Sequence, residues 1–286
     1  MSNKEREIET ITDFRFGQID VFNGENSSRR FIKRTQYNSE EEYNAAIESL
    51  KERKVMNNDV LITVYEIRGY PEDFISEIVY EYPDLGGFDS DLGVKERIIA
   101  FRCILEALAF MQDNKKVHGD IRAEYIAIYK GDCWAKLVDR LGDRSSPLQC
   151  QLGNIKKKRS LYMPPWIFEK LVSQCGSIRH NGYKTDTFSL GMCMLETFCR
   201  PQLLQALYDK EEGKFNYEGL DMILTKLINV CEEEPTKAFV VYLKENVLSF
   251  EETGVLNPKE SLAVLKRVEG LKTLWDLVFY SDEEAK

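Results

Sequence analysis

Apolar and polar positions alternate over 14–22, Phe14-Arg15-Phe16-Gly17-Gln18-Ile19-Asp20-Val21-Phe22, which predicts a half-buried strand. Asn23-Gly24 follows as a hairpin turn pair, and Arg30-Phe31-Ile32-Lys33 returns as a second strand. Ser39 ahead of Glu40-Glu41-Glu42 reads as a helix start, with a capping hydroxyl and acids in the first turn. Ala45, Ala46, Ile47 and Leu50 give that helix an apolar side. Two further strands are predicted at Val60–Tyr65 and Ile75–Tyr80. Together these make a small, mostly antiparallel part with one helix, about residues 10–82.

Beyond residue 83 the period changes from two to that of a helix. Over 95–113, Ile98, Phe101, Leu105, Leu108 and Met111 recur at three- and four-residue intervals. Further helices are expected at Asp186–Phe198, Leu220–Val230, Ala238–Asn246 and Lys259–Val268. The tail Leu271–Tyr280 carries Trp275, Leu277 and Phe279, too much apolar surface to leave in water, so it is expected to pack. The pattern is that of an α+β chain forming one domain over 1–286, its larger helical part spanning about 83–286.

Composition narrows the field. At 286 residues and 43% apolar the chain can build a full core. Its 48 acidic and 39 basic residues give a net charge of −9, which argues against nucleic acid or an anionic membrane as a general partner. The seven cysteines (103, 133, 150, 175, 193, 199, 231) are odd in number without Cys-x-x-Cys spacing, which fits reduced thiols in a cytoplasmic compartment. Met1-Ser2-Asn3-Lys4-Glu5-Arg6-Glu7 is too charged for a signal peptide, and no apolar run approaches the roughly 18 to 20 residues of a membrane span. Two histidines and scattered cysteines point to no metal cluster.

The candidate chemistry begins at His118-Gly119-Asp120-Ile121-Arg122-Ala123-Glu124-Tyr125. It resembles the catalytic loop of protein kinases, His-Arg-Asp-Leu-Lys-Pro-Glu-Asn. Three more segments follow in that family's order. Lys136-Leu137-Val138-Asp139-Arg140-Leu141 looks like the metal-binding Lys-Leu-x-Asp-Phe-Gly. Leu161-Tyr162-Met163-Pro164-Pro165-Trp166 looks like Tyr-Met-Ala-Pro-Glu, which ends the activation segment, and Lys184–Gly191 looks like the Asp-x-Trp-Ser-Leu-Gly that opens helix F. The resemblance covers the whole chain and implies a two-lobed kinase-like fold.

Residue by residue, the resemblance implies a machine with parts missing. Lys33 stands where the ATP-anchoring lysine would be, in a segment resembling Val-Ala-Ile-Lys; alternatively it is a strand-edge lysine beside Arg34. Its helix partner would be Glu48, one register slip from the counted position. Glu81 and Tyr82, in a hinge after a gatekeeper Tyr80, complete the implied nucleotide set. Where kinases cover the phosphates with three glycines, 14–22 has Gly17 alone. Asp120 matches the base, or bonds within its own loop. Arg122 replaces the loop lysine and keeps its charge but not its compact geometry. Gly119 stands where an arginine would hold an activation-segment phosphate.

Asp139 matches the metal-binding aspartate, but Arg140 and Leu141 replace Phe and Gly, and Tyr125 replaces the metal-binding Asn. A phenol is a poor ligand for Mg²⁺, which demands near-octahedral oxygen coordination. Trp166 replaces a Glu whose arginine partner is also missing, since no Arg lies between Leu248 and Lys266. Loss of both halves of a buried ion pair is close to neutral, whereas loss of one is costly. His118 is expected to support its loop and His180 to sit in solvent. The implied protein is a pseudokinase: a protein-binding scaffold or subunit of a larger assembly, with ATP and Mg²⁺ bound weakly or not at all. An atypical active Ser/Thr kinase and a nucleotide-binding switch without transfer are the alternatives. The basic block Lys156-Lys157-Lys158-Arg159 before Ser160 is the candidate partner-binding or regulatory patch, or a solvated stretch.

Overall fold

A computed structural model describes residues 8–13, 17–24, 28–83, 86–88, 92–129, 135–138, 162–173 and 178–279. The chain groups into two compact units: residues 1–90 with 124–145, and residues 91–123 with 146–286.

The first unit is built on a five-stranded antiparallel sheet of order β1-β2-β3-β5-β4. Its strands are β1 (Ile8–Asp13), β2 (Gly17–Asn23), β3 (Arg29–Gln36), β4 (Val64–Tyr70) and β5 (Ile75–Glu81). The expected strand 14–22 is β2 from Gly17 on; 14–16 lie outside the described residues. The strand it pairs with, β1, was not predicted, and its composition shows why. It is an edge strand, held by its ladder to β2, and Ile8 stays 59% exposed. Val60–Tyr65 also departs from expectation: the strand starts only at Val64. Leu61 and Ile62 are fully buried and bond instead to the Leu137 segment. A run buried on both faces has no alternation to read.

Helix α1 (Glu40–Val55) starts as expected, with the Ser39 hydroxyl accepting from Glu42 N–H at 3.2 Å. It buries Tyr43, Ala46, Leu50 and Arg53. The fully buried Arg53 guanidinium donates to the Ile62 carbonyl and, at 3.1 Å, to Asn57 Oδ1. Short strands β6 (Gly86–Gly87), β7 (Ile126–Ile128) and β8 (Ala135–Leu137) form a second sheet of this unit.

The second unit is helical, with α2 (Val94–Asp113), α3 (Pro165–Val172), α4 (Gly182–Glu196), α5 (Pro201–Gln205), α6 (Tyr217–Val230), α7 (Glu234–Tyr242), α8 (Pro258–Leu265) and α9 (Lys272–Phe279). A small hairpin, β9 (Tyr208–Asp209) and β10 (Lys214–Phe215), sits among them. Helix α4 is buried from Thr185 to Leu195 and α2 along most of its length. Phe101 of α2 meets Phe239 of α7 edge-to-face at 5.0 Å. The helix expected at Ala238–Asn246 is α7 followed by a π turn over Leu243–Val247. Gly191 of α4 accommodates that turn: a Cβ there would lie 2.5 Å from Val247. The tail packs as expected, Trp275 being 2% exposed with the Arg102 guanidinium 4.8 Å from its ring centre. Among the described residues no helix is long and apolar enough to cross a membrane.

Candidate functional site

The catalytic-loop resemblance falls on a segment that passes from the second unit into the first between Ala123 and Glu124. In the second unit its anchor is Asp186, one turn into α4. The carboxylate accepts from His118 N–H and Gly119 N–H, both at 2.8 Å. Asp186 is 2% exposed, and burial pushes its carboxyl up to about 7 against the pull of those two backbone bonds, with the Asp120 charge adding to the rise. His118 is buried, its Nδ1 accepting from Asp120 N–H at 3.3 Å, which is the supporting role its position implied. Gly119 sits at φ 78°, the left-handed region that strains any residue with a Cβ. The backbone therefore favours glycine here, where the resemblance implies an arginine.

Asp120 and Arg122 are brought together: Arg122 Nε donates to Asp120 Oδ1 at 2.6 Å, and both side chains are mostly buried. Residues 162–166 dock on α4. Tyr162 hydroxyl bonds the Glu196 carboxylate, and Ser189 hydroxyl donates to the Tyr162 carbonyl at 2.9 Å. Trp166 packs edge-on against the fully buried Phe188 at 5.4 Å. An apolar ring on an apolar helix thus occupies the place of the implied ion pair. His180, expected in solvent, is half-buried and bonds Thr185 through Nδ1 at 2.9 Å.

In the first unit one of the implied nucleotide residues, Tyr82, packs against an apolar cluster. Phe31 is fully buried with Ile19, Val21, Ile62, Ala127, Tyr129 and Val138, and Tyr80, Tyr82 and Tyr125 pack against them. Phe31 stacks on Tyr80 at 5.2 Å and meets Tyr82 edge-on at 6.0 Å. The Tyr125 carbonyl accepts from Val138 N–H at 2.8 Å. Lys33, two residues beyond Phe31 on the same strand, is half-buried. Glu48 is exposed on α1 and pairs with Lys51 at 2.8 Å. The Glu81 carboxylate is held by Lys136 Nζ at 2.8 and 2.9 Å and by Thr63 N–H at 3.1 Å. Its own N–H donates to Thr63, and that of Tyr82 to the Arg29 carbonyl.

Asp139, Arg140, Leu141, Lys156, Lys157, Lys158, Arg159 and Ser160 lie outside the described residues. Among the described residues no group of three or more His, Cys, Asp or Glu is placed to hold a metal ion. Of three charged residues that organise the site or its support, the sequence reading quoted Asp186 and Lys136 within motifs without giving either a role, and it passed over Arg53. Asp186 carried a signal, as the one charged residue in the buried run Thr185–Leu195.

No family model matches this chain. Over 148 residues, 49% of its length, it is 33% identical to the serine/threonine-protein kinase ppk11 of Schizosaccharomyces pombe (strain 972 / ATCC 24843). The chain covers 43% of that protein, less than half of its length. An α+β chain with a five-stranded antiparallel N-terminal sheet and a largely helical remainder is compatible with a kinase-like fold.

Proposed function

We propose that this chain is a kinase-like protein that has given up phosphoryl transfer and acts as a protein-binding scaffold or structural subunit. The observation that carries the reading is the packing of the half-buried Tyr125 against one apolar cluster centred on the buried Phe31. Tyr125 stands where the resemblance requires an oxygen or amide ligand for Mg²⁺, and its ring is spent on packing. Phe31, Tyr80 and Tyr82 fill the same cluster, and the backbone N–H groups of Glu81 and Tyr82 are already bonded to protein carbonyls. This packing supports the reading that ATP and Mg²⁺ bind weakly or not at all.

A second reading, Ser/Thr phosphoryl transfer, draws support from the named activity of the yeast relative and from the retained Asp120 and Arg122. Radiolabelled ATP with generic protein substrates and excess Mg²⁺ or Mn²⁺ separates the two. No transfer above a no-enzyme blank is expected. Turnover that disappears in Asp120→Asn would establish the second reading.

As a scaffold the chain acts through a surface, and the basic block Lys156–Arg159 is the face assigned to an acidic partner. Phosphorylation of Ser160 would set about −2 charge against it. Reversing Lys156, Lys157 and Lys158 to Glu is expected to reduce recovery of the native partner with the melting temperature unchanged. Full recovery would place the contact elsewhere.

A further inference from the structure

The second unit carries an open groove of about 660 Å³ where the first turn of α2 faces the end of α6 and the start of α7. Val94 and Val230 form its lips, 37% and 60% exposed, with Cys231 and Thr236 deeper in. Two helix starts open onto it, which would ordinarily favour an anion. Both are already answered by acids: Glu96 bonds Gly93 N–H at the start of α2, and α7 has Glu234 in its first turn. The lining holds three carboxylates, Glu96, Glu232 and Glu233, against one ammonium, Lys95, which lies 3.8 Å from Glu233. The third element, α6, ends here with no basic residue in its last turn, so the negative end of its dipole adds to the same sign.

We infer that this groove docks a protein segment carrying an aliphatic anchor flanked by Lys or Arg. The exposed valines supply an apolar slot whose occupation removes water from both surfaces. The rim and the end of α6 select a cationic flank and reject phosphate or an acidic peptide. The groove lies wholly within one unit and its binding is read without ATP. Failure of the inference therefore leaves the scaffold reading standing, and the reverse also holds.

The test uses the full chain and a fluorescein-labelled peptide with one leucine between pairs of lysines, read by anisotropy. Saturable binding is expected, weakened about tenfold by Val230→Ser and to a similar degree by Glu232→Lys with Glu233→Lys. Glu40→Lys with Glu41→Lys makes the same charge change on α1 in the other unit and is expected to leave binding unchanged. Replacing the peptide's leucine with alanine, or its lysines with glutamate, should abolish the signal. Absence of saturable binding, or equal weakening in the α1 variant, overturns the inference. So does concentration-dependent self-association that Val230→Ser removes, since the occupant would then be a second copy.

Discussion

Phe31→Ala is the sharpest test of the packed cluster in the first unit. Phe31 is fully buried, stacked on Tyr80 and edge-on to Tyr82. Removing a buried phenylalanine costs about 3–5 kcal/mol, the transfer energy of the ring plus the cavity left behind. Each lost aromatic pair is worth about 0.5–1.5 kcal/mol beyond area. Strands on both sides of Phe31 hold the backbone in register, so collapse into the space is limited and the loss should fall near 5 kcal/mol. That is a third or more of the about 5–15 kcal/mol that keeps a typical domain folded. At about 2–4 °C per kcal/mol, the melting temperature should fall by roughly 10–20 °C. Calorimetry and far-UV circular dichroism give the value, with Phe31→Leu as a milder control costing less than about 2 kcal/mol. The wild type should show no shift with ATP, because a ligand at a hundred times its Kd would add about 2.7 kcal/mol. A fall under about 3 °C in Phe31→Ala, or a clear ATP shift in the wild type, would refute the argument that this cluster is a filled core.

Asp186 gives a pH signature. Its carboxyl is raised from 3.8 to about 7 in the fold, so the folded state holds the proton more tightly than the unfolded one. Its contribution to stability is therefore lost as pH rises from about 4 through 7, on the order of 2 kcal/mol between pH 5 and 8. Urea denaturation across that range should show the slope in the wild type and not in Asp186→Asn; equal slopes would exclude Asp186 as its source. Arg53→Ala leaves the Ile62 carbonyl unpaired in the core and removes one bond to the Asn57 side chain, and about 1–3 kcal/mol of stability should go with it. Arg53→Lys should recover little, since an ammonium on a flexible stem cannot reproduce the two-armed geometry; wild-type stability in the lysine variant would show that charge alone suffices.

The helices of the second unit were largely legible in the sequence because their burial is one-sided or continuous and repeats over many turns. The Ile98–Met111 spacing located α2 to within a residue. The edge strand β1 was not legible, because backbone pairing holds it with few apolar side chains of its own. The site was legible where a motif carries it. His118, Asp120 and Arg122 could be picked out as a string. That Tyr125 joins Phe31 in one core could not, because 94 residues separate them and nothing local records the meeting. Glu48 illustrates a related limit. Counting along a helix finds a residue type, but α1 turns Tyr43, Ala46, Leu50 and Arg53 inward and leaves Glu48 to Lys51.

Gly119 bears on what side chain this loop can carry. Its φ of 78° and its bond to Asp186 are a matched pair. An arginine placed there would strain the backbone by about 1–3 kcal/mol before its charge met anything. Any route to an arginine at this position therefore runs uphill first. An engineer adding one side chain at a time would meet that loss at this step. The torsion angle, before any charge, sets the order in which such changes could be made.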